Sequence, residues 1–396
     1  VRLSKKTVLP QHNPQQLGIV ALFGSGETSP SGRKVFDYVL RQFAPAPRLA
    51  LLETPAGFEL NSDRVIGRIA EFIQLRLQNF RPEITVVPAR RRGTPFSPDN
   101  PEILEPLLQA DLIFMGPGSP TYAVRQLHDS LAWRAVLARH RLGAALVLAS
   151  AATIAVSSYA LPVYEIYKVG EDLHWKPGLD LFGMLGFPMV VIPHWNNNDG
   201  GDELDTSCCF MGKQRFIHLM EMLPPGLPLF GIDEKTALVL DLHTGTCQVL
   251  GLGGVVLLHS AHDHPSAELP ALPTAEPGDN WLQAVAEQSG MHVHRYLNGE
   301  TFPLEVCCPV RMPHPGEGLA PEIWRQALEL HFQREEARQG NPDPASPPLE
   351  VLALVEERQA ARQRKDWQQS DVLRQRITAA GWQVLDTPEG PKLQPA

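Results

Sequence analysis

The stretch Leu146-Val147-Leu148-Ala149-Ser150-Ala151-Ala152-Thr153 decides how this chain is read. An apolar, strand-like run stops at one serine, and only small residues flank it. The pattern fits a strand that turns sharply into a helix and pushes a hydroxyl into a cleft. The backbone at such a bend is crowded, so a bulky neighbour would clash. The usual Gly-x-Ser-x-Gly form is not met, because Leu148 and Ala152 stand where glycine is common. A serine between alanines at a strand end also fits plain tight packing, so the rest of the chain has to supply the chemistry.

Working outward, the first 260 residues alternate between short apolar runs and helical patterns. Strands are expected at 18–23, 48–53, 84–88, 110–115, 144–149 and 189–193. Continuous apolar runs mark strands buried on both faces. Amphipathic stretches at 32–42, 62–77 and 101–108 lie between them. This alternation predicts an α/β fold with a mainly parallel sheet flanked by helices. Residues 231–241 and 248–259 read as a closing β-hairpin with its turn near Thr244-Gly245. The expected domains are 1–260, a Pro-rich extension at 261–348, and a small C-terminal helical appendage at 349–396. Within the extension, 281–290 and 321–339 read as helices, and Asn298-Gly299 reads as a hairpin turn. Residues 341–348, with four prolines, read as a linker.

Composition narrows the class. With 396 residues, 43% of them hydrophobic and 20% charged, the chain can bury a sizeable core. A net charge of -9 argues against a protein that coats nucleic acid. The five cysteines include the adjacent pairs Cys208-Cys209 and Cys307-Cys308 and no C-x-x-C, which suits a reducing compartment. The start of the sequence is basic with no apolar run behind it, and no run of 18 apolar residues occurs. A cytoplasmic protein without a membrane partner is therefore expected.

A serine is a weak nucleophile until a base takes its proton and amide donors receive the developing charge. Gly116-Pro117-Gly118-Ser119-Pro120-Thr121-Tyr122 follows the expected strand 110–115, and glycine there lets backbone amides face a ligand. The amides of Gly118 and Ala151 are the candidate oxyanion donors. His194 ends the run 189–193 and opens a polar loop at 195–202, and strand C-termini are where α/β sheets build sites. For the carboxylate behind the base, Glu165, Glu171, Asp172 and Asp180 lie between Ser150 and His194. Glu165 sits in the apolar segment Pro162-Val163-Tyr164-Glu165-Ile166-Tyr167, where a buried carboxylate needs a partner.

This order of elements resembles the peptidase E and cyanophycinase family of serine peptidases, whose fold is similar to class I glutamine amidotransferases. Leu22-Phe23-Gly24-Ser25-Gly26-Glu27 looks like the family's first strand and glycine turn. Phe230-Gly231-Ile232-Asp233-Glu234-Lys235-Thr236-Ala237-Leu238 is close to its G-I-D-E-x-T-A-L, and Gly251-Leu252-Gly253-Gly254-Val255 looks like its closing strand. The likeness covers about residues 17–260. It implies Ser150 as nucleophile, His194 as general base and Glu165 as orienting acid, without a cofactor. The implied substrate is a small aspartyl peptide or related amide, and Arg125 and Lys168 are candidates for its carboxylate. Two departures stand out. Ala152 replaces the glycine of S-A-G-A, and Pro117 removes one amide donor. An alternative is therefore a catalytically degenerate, ligand-binding module.

A second resemblance lies at 349–396. Ala361-Arg362-Gln363-Arg364-Lys365-Asp366-Trp367 and Asp386-Thr387-Pro388-Glu389-Gly390 look like the C-terminal end of cysteinyl-tRNA synthetase. The H-I-G-H-like and K-M-S-K-S-like signatures are absent from these 396 residues, so no aminoacylation is expected. The tail would dock a protein or RNA partner, although its seven Lys/Arg and seven Asp/Glu cancel. A homodimer is left open. His262-Asp263-His264 and His292-Val293-His294 have alternating spacing without a third ligand, and no metal is expected.

Overall fold

Five of the expected apolar runs form adjacent strands of one sheet. The computed structural model describes residues 17–260, 280–288, 290–306, 313 and 316–340. Between 351 and 395 it describes all but 352–353, 356–357, 359–360, 363–365 and 388–389. The first strands are β1 (Val20–Phe23), β2 (Arg48–Leu52), β3 (Glu83–Val87), β4 (Leu112–Met115) and β5 (Ala145–Ala149). They run parallel in the order β1-β5-β4-β2-β3. Strands β1, β4 and β5 are buried along their whole length, whereas the edge strand β3 alternates between exposed and covered residues. Helices α1 (Pro30–Leu40) and α2 (Ser62–Arg76) bury their apolar residues with the sheet. The Phe36 ring lies 6.1 Å from both Phe23 and Phe114. Each such side chain contributes about 1.5–3 kcal/mol by leaving water. The remaining helices of this region are α3 (Glu105–Gln109), α4 (Pro120–Leu127), α5 (Leu131–Arg141) and α6 (Ala151–Ala155).

The sixth run departs from this scheme. After the short pair β6 (Tyr159–Ala160) and β7 (Lys176–Pro177), β8 (Val190–Ile192) joins a separate four-stranded sheet. That sheet has the order β13-β12-β9-β8, with β9 at Leu229–Ile232, β12 at Gly254–Ser260 and β13 at Met291–Leu297. The expected closing hairpin is two hairpins in series. The run 231–241 breaks at Asp233-Glu234-Lys235 into β9 and β10 (Thr236–Asp241). Its partner breaks at Leu252-Gly253 into β11 (Thr246–Gly251) and β12. Strand β10 extends the large sheet antiparallel to β1, β11 follows antiparallel to β10, and β9 and β12 belong to the small sheet. Asn298-Gly299 is not a hairpin turn either. Strand β13 pairs with β12, β14 (Thr301–Pro303) pairs with β11, and the link passes from one sheet to the other.

The chain divides into two compact units after Leu328. In the second, a helix at Trp367–Ala379 is capped by Asp366, whose side chain accepts from the Gln369 N–H. It is followed by an antiparallel hairpin, β15 (Trp382–Thr387) and β16 (Gly390–Pro395), that the helical reading of the tail did not contain. Val351, Val355, Ile377, Trp382 and Val384 form its core. Cys208 and Cys209 are free thiols. Cys307, Cys308 and His262-Asp263-His264 lie outside the described residues. Among the described residues no helix is long and apolar enough to cross a membrane, and no group of three potential metal ligands occurs.

Candidate active site

The large sheet ends in the bend that the opening stretch implied. Ser150 follows β5 directly, with φ 53° and ψ -108°, and α6 begins at the next residue. A non-glycine residue in this region is strained, and such strain persists where the surroundings over-determine it. Here the surroundings are specific. The Ser150 N–H donates to the Phe23 carbonyl at 3.3 Å. The Thr153 hydroxyl, fully buried, lies 3.0 Å from both the Phe23 and Leu148 carbonyls. Ala149, Ala151 and Ala152 are buried around the bend, so methyl groups are the largest side chains it holds.

The imidazole comes from the small sheet. His194 lies just beyond β8 with φ 51°, and its N–H donates to the Gly24 carbonyl at the end of β1, 3.3 Å away. That bond ties the two sheets together at the site. The His194 Nε2 is 2.8 Å from Ser150 Oγ. Its Nδ1 is 2.9 Å from Oε1 of Glu234. A carboxylate at Nδ1 fixes the proton there and leaves Nε2 bare to accept the serine proton.

The carboxylate behind the His194 imidazole is thus Glu234, and the expectation for Glu165 is corrected. Glu165 lies on a single π-helical turn, Glu165–Val169, and accepts from the Thr121 hydroxyl. Lys176 Nζ is 3.8 Å away, so this carboxylate is committed to the α4 side and not to His194. Glu234 occupies the corner where the chain leaves β9 and enters β10. Its Oε1 also accepts from Asn197 Nδ2 at 3.0 Å, and its own N–H donates to Asn196 Oδ1 at 2.8 Å. The hydrogen bond from His194, with that from Asn197, holds the Glu234 carboxyl below its ordinary value against the opposing effect of burial. The corner has a support of its own. Asp233 Oδ2 accepts from the Gly254 N–H at 2.8 Å and from Arg295 of β13, in a pair that is nearly closed to solvent. A Cβ on Gly253 would meet the Asp233 side chain at 2.7 Å, which explains glycine there.

A cavity of about 490 Å³ opens in front of the serine. Gly118, Ser150, Ala151, His194 and Lys168 all line it, as do Tyr164, Cys209 and Phe210. Both candidate oxyanion donors and one of the two candidate cations therefore share a cavity with the serine. Ala151 is the first residue of α6, and its N–H has no intrahelical acceptor. Gly118 has φ 145°, and a Cβ there would lie 2.0 Å from the Pro55 carbonyl oxygen, so no other residue fits. Lys168 Nζ sits 4.7 Å from the centre of the Tyr167 ring. Arg125 does not line this cavity; it lines a neighbouring one with Glu165.

Three further residues went unread in the sequence. Asn197 stands in the polar loop at 195–202. Glu27 is pushed above its ordinary value by burial, with its own backbone N–H and the charge of His194 acting against the shift. Cys209 lines the cavity, and burial pushes its thiol up to about 12, which keeps it neutral. It lies in a run of three left-handed residues, Cys208 to Phe210, whose N–H groups at 208 and 209 cap the Trp195 and His194 carbonyls at 2.8 and 3.1 Å.

No family model matches the sequence. Among solved structures, a peptidase from an acI-B1 Actinobacterium superposes with a TM-score of 0.52 at 21% identity, covering 73% of this chain and 98% of that one. The fold is peptidase-like. Among curated proteins, the cysteine–tRNA ligase of Opitutus terrae is 52% identical over 52 residues, and that of Methanosarcina mazei is 53% identical over 47. These matches cover 13% and 12% of this chain, which spans about a tenth of the length of those relatives. The peptidase-like fold and a short synthetase-like segment therefore coexist in one chain, as the motifs implied.

Proposed function

We propose that the chain is a serine hydrolase that cleaves a peptide or related amide bond. The observation that carries this reading is the hydrogen-bonded line from Ser150 through His194 to Glu234. In the reaction, Ser150 Oγ attacks the substrate carbonyl carbon while His194 Nε2 takes its proton. The oxygen charge falls on the N–H groups of Gly118 and Ala151. His194 then gives the proton to the leaving amine, and a water activated by the same imidazole releases the acyl group. Glu234 stays ionised throughout and stabilises the imidazolium.

The substrate class in this proposal is an aspartyl peptide or amide. Lys168 at the cavity wall would face the substrate carboxylate. The non-catalytic alternative leans on Ala152 and Pro117. Ala152 is fully buried beside an intact Ser150–His194 hydrogen bond, and Pro117 leaves the Gly118 N–H in place, so both favour catalysis. The synthetase-like tail would serve as a docking module for a partner rather than take part in the chemistry.

A fluorophosphonate probe tests the reading. Wild-type protein should label at Ser150, with labelling abolished in Ser150→Ala and strongly reduced in His194→Ala. Folded wild-type protein that takes up no probe would refute it.

A further inference from the structure

The catalytic cavity has a larger neighbour. A second cavity, of about 980 Å³, is lined by Phe58, Tyr122, Arg125, Tyr164, Glu165 and Lys176 among others. The partition between the two is the start of α4 together with one ring. Gly118 and Pro120 face the catalytic cavity, Ser119 and Thr121 face the other, and Tyr164 lines both. Tyr164 is 41% exposed and lines both cavities, so it stands at their shared edge.

The charges on the wall are unequal in their commitments. Lys176 lies 3.8 Å from Glu165. Arg92 lies 3.4 Å from Asp99 and also donates to the His128 carbonyl. Arg125 differs: among the described residues it makes no ion pair, and its guanidinium rests 5.1 Å from the centre of the Tyr122 ring. The Tyr122 hydroxyl donates to the Arg90 carbonyl at 2.9 Å, which holds that ring in place. A guanidinium stacked on a fixed ring keeps its edge donors free, in a fork that matches a carboxylate. Aromatic walls with a few placed polar groups, at this volume, are the makings of a ligand site. A dipeptide held at Ser150 would leave the second cavity to water.

We propose that the second cavity holds the distal part of a peptide substrate longer than a dipeptide, with its terminal carboxylate on Arg125 and an apolar side chain against Phe58 and Tyr122. The proposal rests on the hydrolase reading only in naming the ligand a substrate. The binding site itself stands on the cavity, its partition and the unpaired guanidinium.

The test uses full-length Ser150→Ala protein, titrated calorimetrically with three synthetic peptides. These are an aspartyl-leucine dipeptide, a tetrapeptide that extends it to a C-terminal phenylalanine, and the same tetrapeptide with an amidated end. The free tetrapeptide should bind at least about tenfold more tightly than the dipeptide. Amidation, or Arg125→Gln, should remove most of that gain, and the two losses should not add, since both delete one contact. Arg125→Lys should recover only part, because it keeps the charge and loses the fork. Equal affinity for dipeptide and free tetrapeptide, or an undiminished gain in Arg125→Gln, would overturn the proposal. Wild-type turnover of the same peptides separates the two ideas. Tight tetrapeptide binding without any cleavage would refute the hydrolase and leave the site. Cleavage with no preference for length would refute the site and leave the hydrolase.

Discussion

The two sheets contribute opposite halves of the proposed chemistry. The large sheet supplies the nucleophile and the oxyanion donors, from the bends after β4 and β5. The small sheet supplies the base beyond β8 and the carboxylate beyond β9. Strands β4 and β5 of the large sheet are uninterrupted buried apolar runs, and Gly118 and Ser150 follow them within three positions. The small sheet takes β9 and β12 from runs that also feed the large one, and Glu234 sits where one such run breaks. A nucleophile can therefore be found by local pattern, whereas its supporting carboxylate depends on how two sheets meet.

The sharpest way to break this comparison is to disable each half in turn. Ser150→Ala should lower kcat by about 10⁶-fold with thermal stability maintained, as removing a nucleophile does in triad enzymes. Glu234→Gln should lower kcat by about 10⁴-fold, because the imidazole loses the group that sets its tautomer. In Glu165→Gln any loss should be carried by KM on long peptides. If Glu165→Gln rather than Glu234→Gln collapsed kcat, the assignment of the carboxylate to the small sheet would be wrong.

Acid separates the far end of the large sheet from the Glu234 corner. His140 closes α5 beneath β5, fully buried, with Nδ1 against the Ala144 carbonyl at 3.1 Å. Burial lowers its pKa to about 4 from its ordinary value of 6.5. The unfolded chain takes up that proton as pH falls through 6.5, while the folded chain refuses it until about 4. Stability should fall across this window by about 3 kcal/mol from this group, at 1.36 kcal/mol for each unit of the shift. Glu234 acts below it. Its contribution is present above the unfolded carboxyl pKa and is lost as pH falls through the lower folded value. Urea midpoints measured from pH 7 to 4 in wild type and His140→Gln would check the first window. A midpoint that stays flat in wild type would contradict it.

Two smaller changes probe the supports. Thr153→Val leaves the Ser150 backbone bond in place but removes the hydroxyl from two buried carbonyls. It should cost about 1–3 kcal/mol in chemical denaturation and lower kcat less than tenfold. Arg295→Gln should act through the Asp233 corner. Its expected signature is a reduced kcat with nearly unchanged KM and a shifted acid limb of the pH–rate profile, with partial recovery in Arg295→Lys. Parallel loss of activity and stability at every pH would make Arg295 purely structural.

Much of this arrangement was legible in the sequence. The buried runs, the serine bend, the glycine turn at 118 and a histidine at the end of an apolar run are local signals, each set by a few neighbouring residues. Glu234 was present in the most distinctive motif, as an acidic pair interrupting an apolar run. The search for a carboxylate between Ser150 and His194 followed chain order, which a three-dimensional site does not obey. The hairpin expected at Asn298-Gly299 failed for a related reason. The turn chemistry is sound, but each flanking strand finds a better partner, β12 or β11, than the other. In the second unit, helical spacing was readable, whereas the 382–395 hairpin pairs over its own short core and carries little periodic signal.

The sequence by itself determined the parallel sheet, the serine at its bend and the histidine at the end of an apolar run. These follow from burial on both faces and from which side chains a tight bend can hold. Tertiary structure alone decided which carboxylate stands behind the imidazole, that Arg125 faces a different cavity from Lys168, and that Arg295 braces the Asp233-Glu234 corner. Those pairings join residues as far as 62 positions apart. Hydrogen bonds over such separations form only after the sheets have packed, and no local pattern records them.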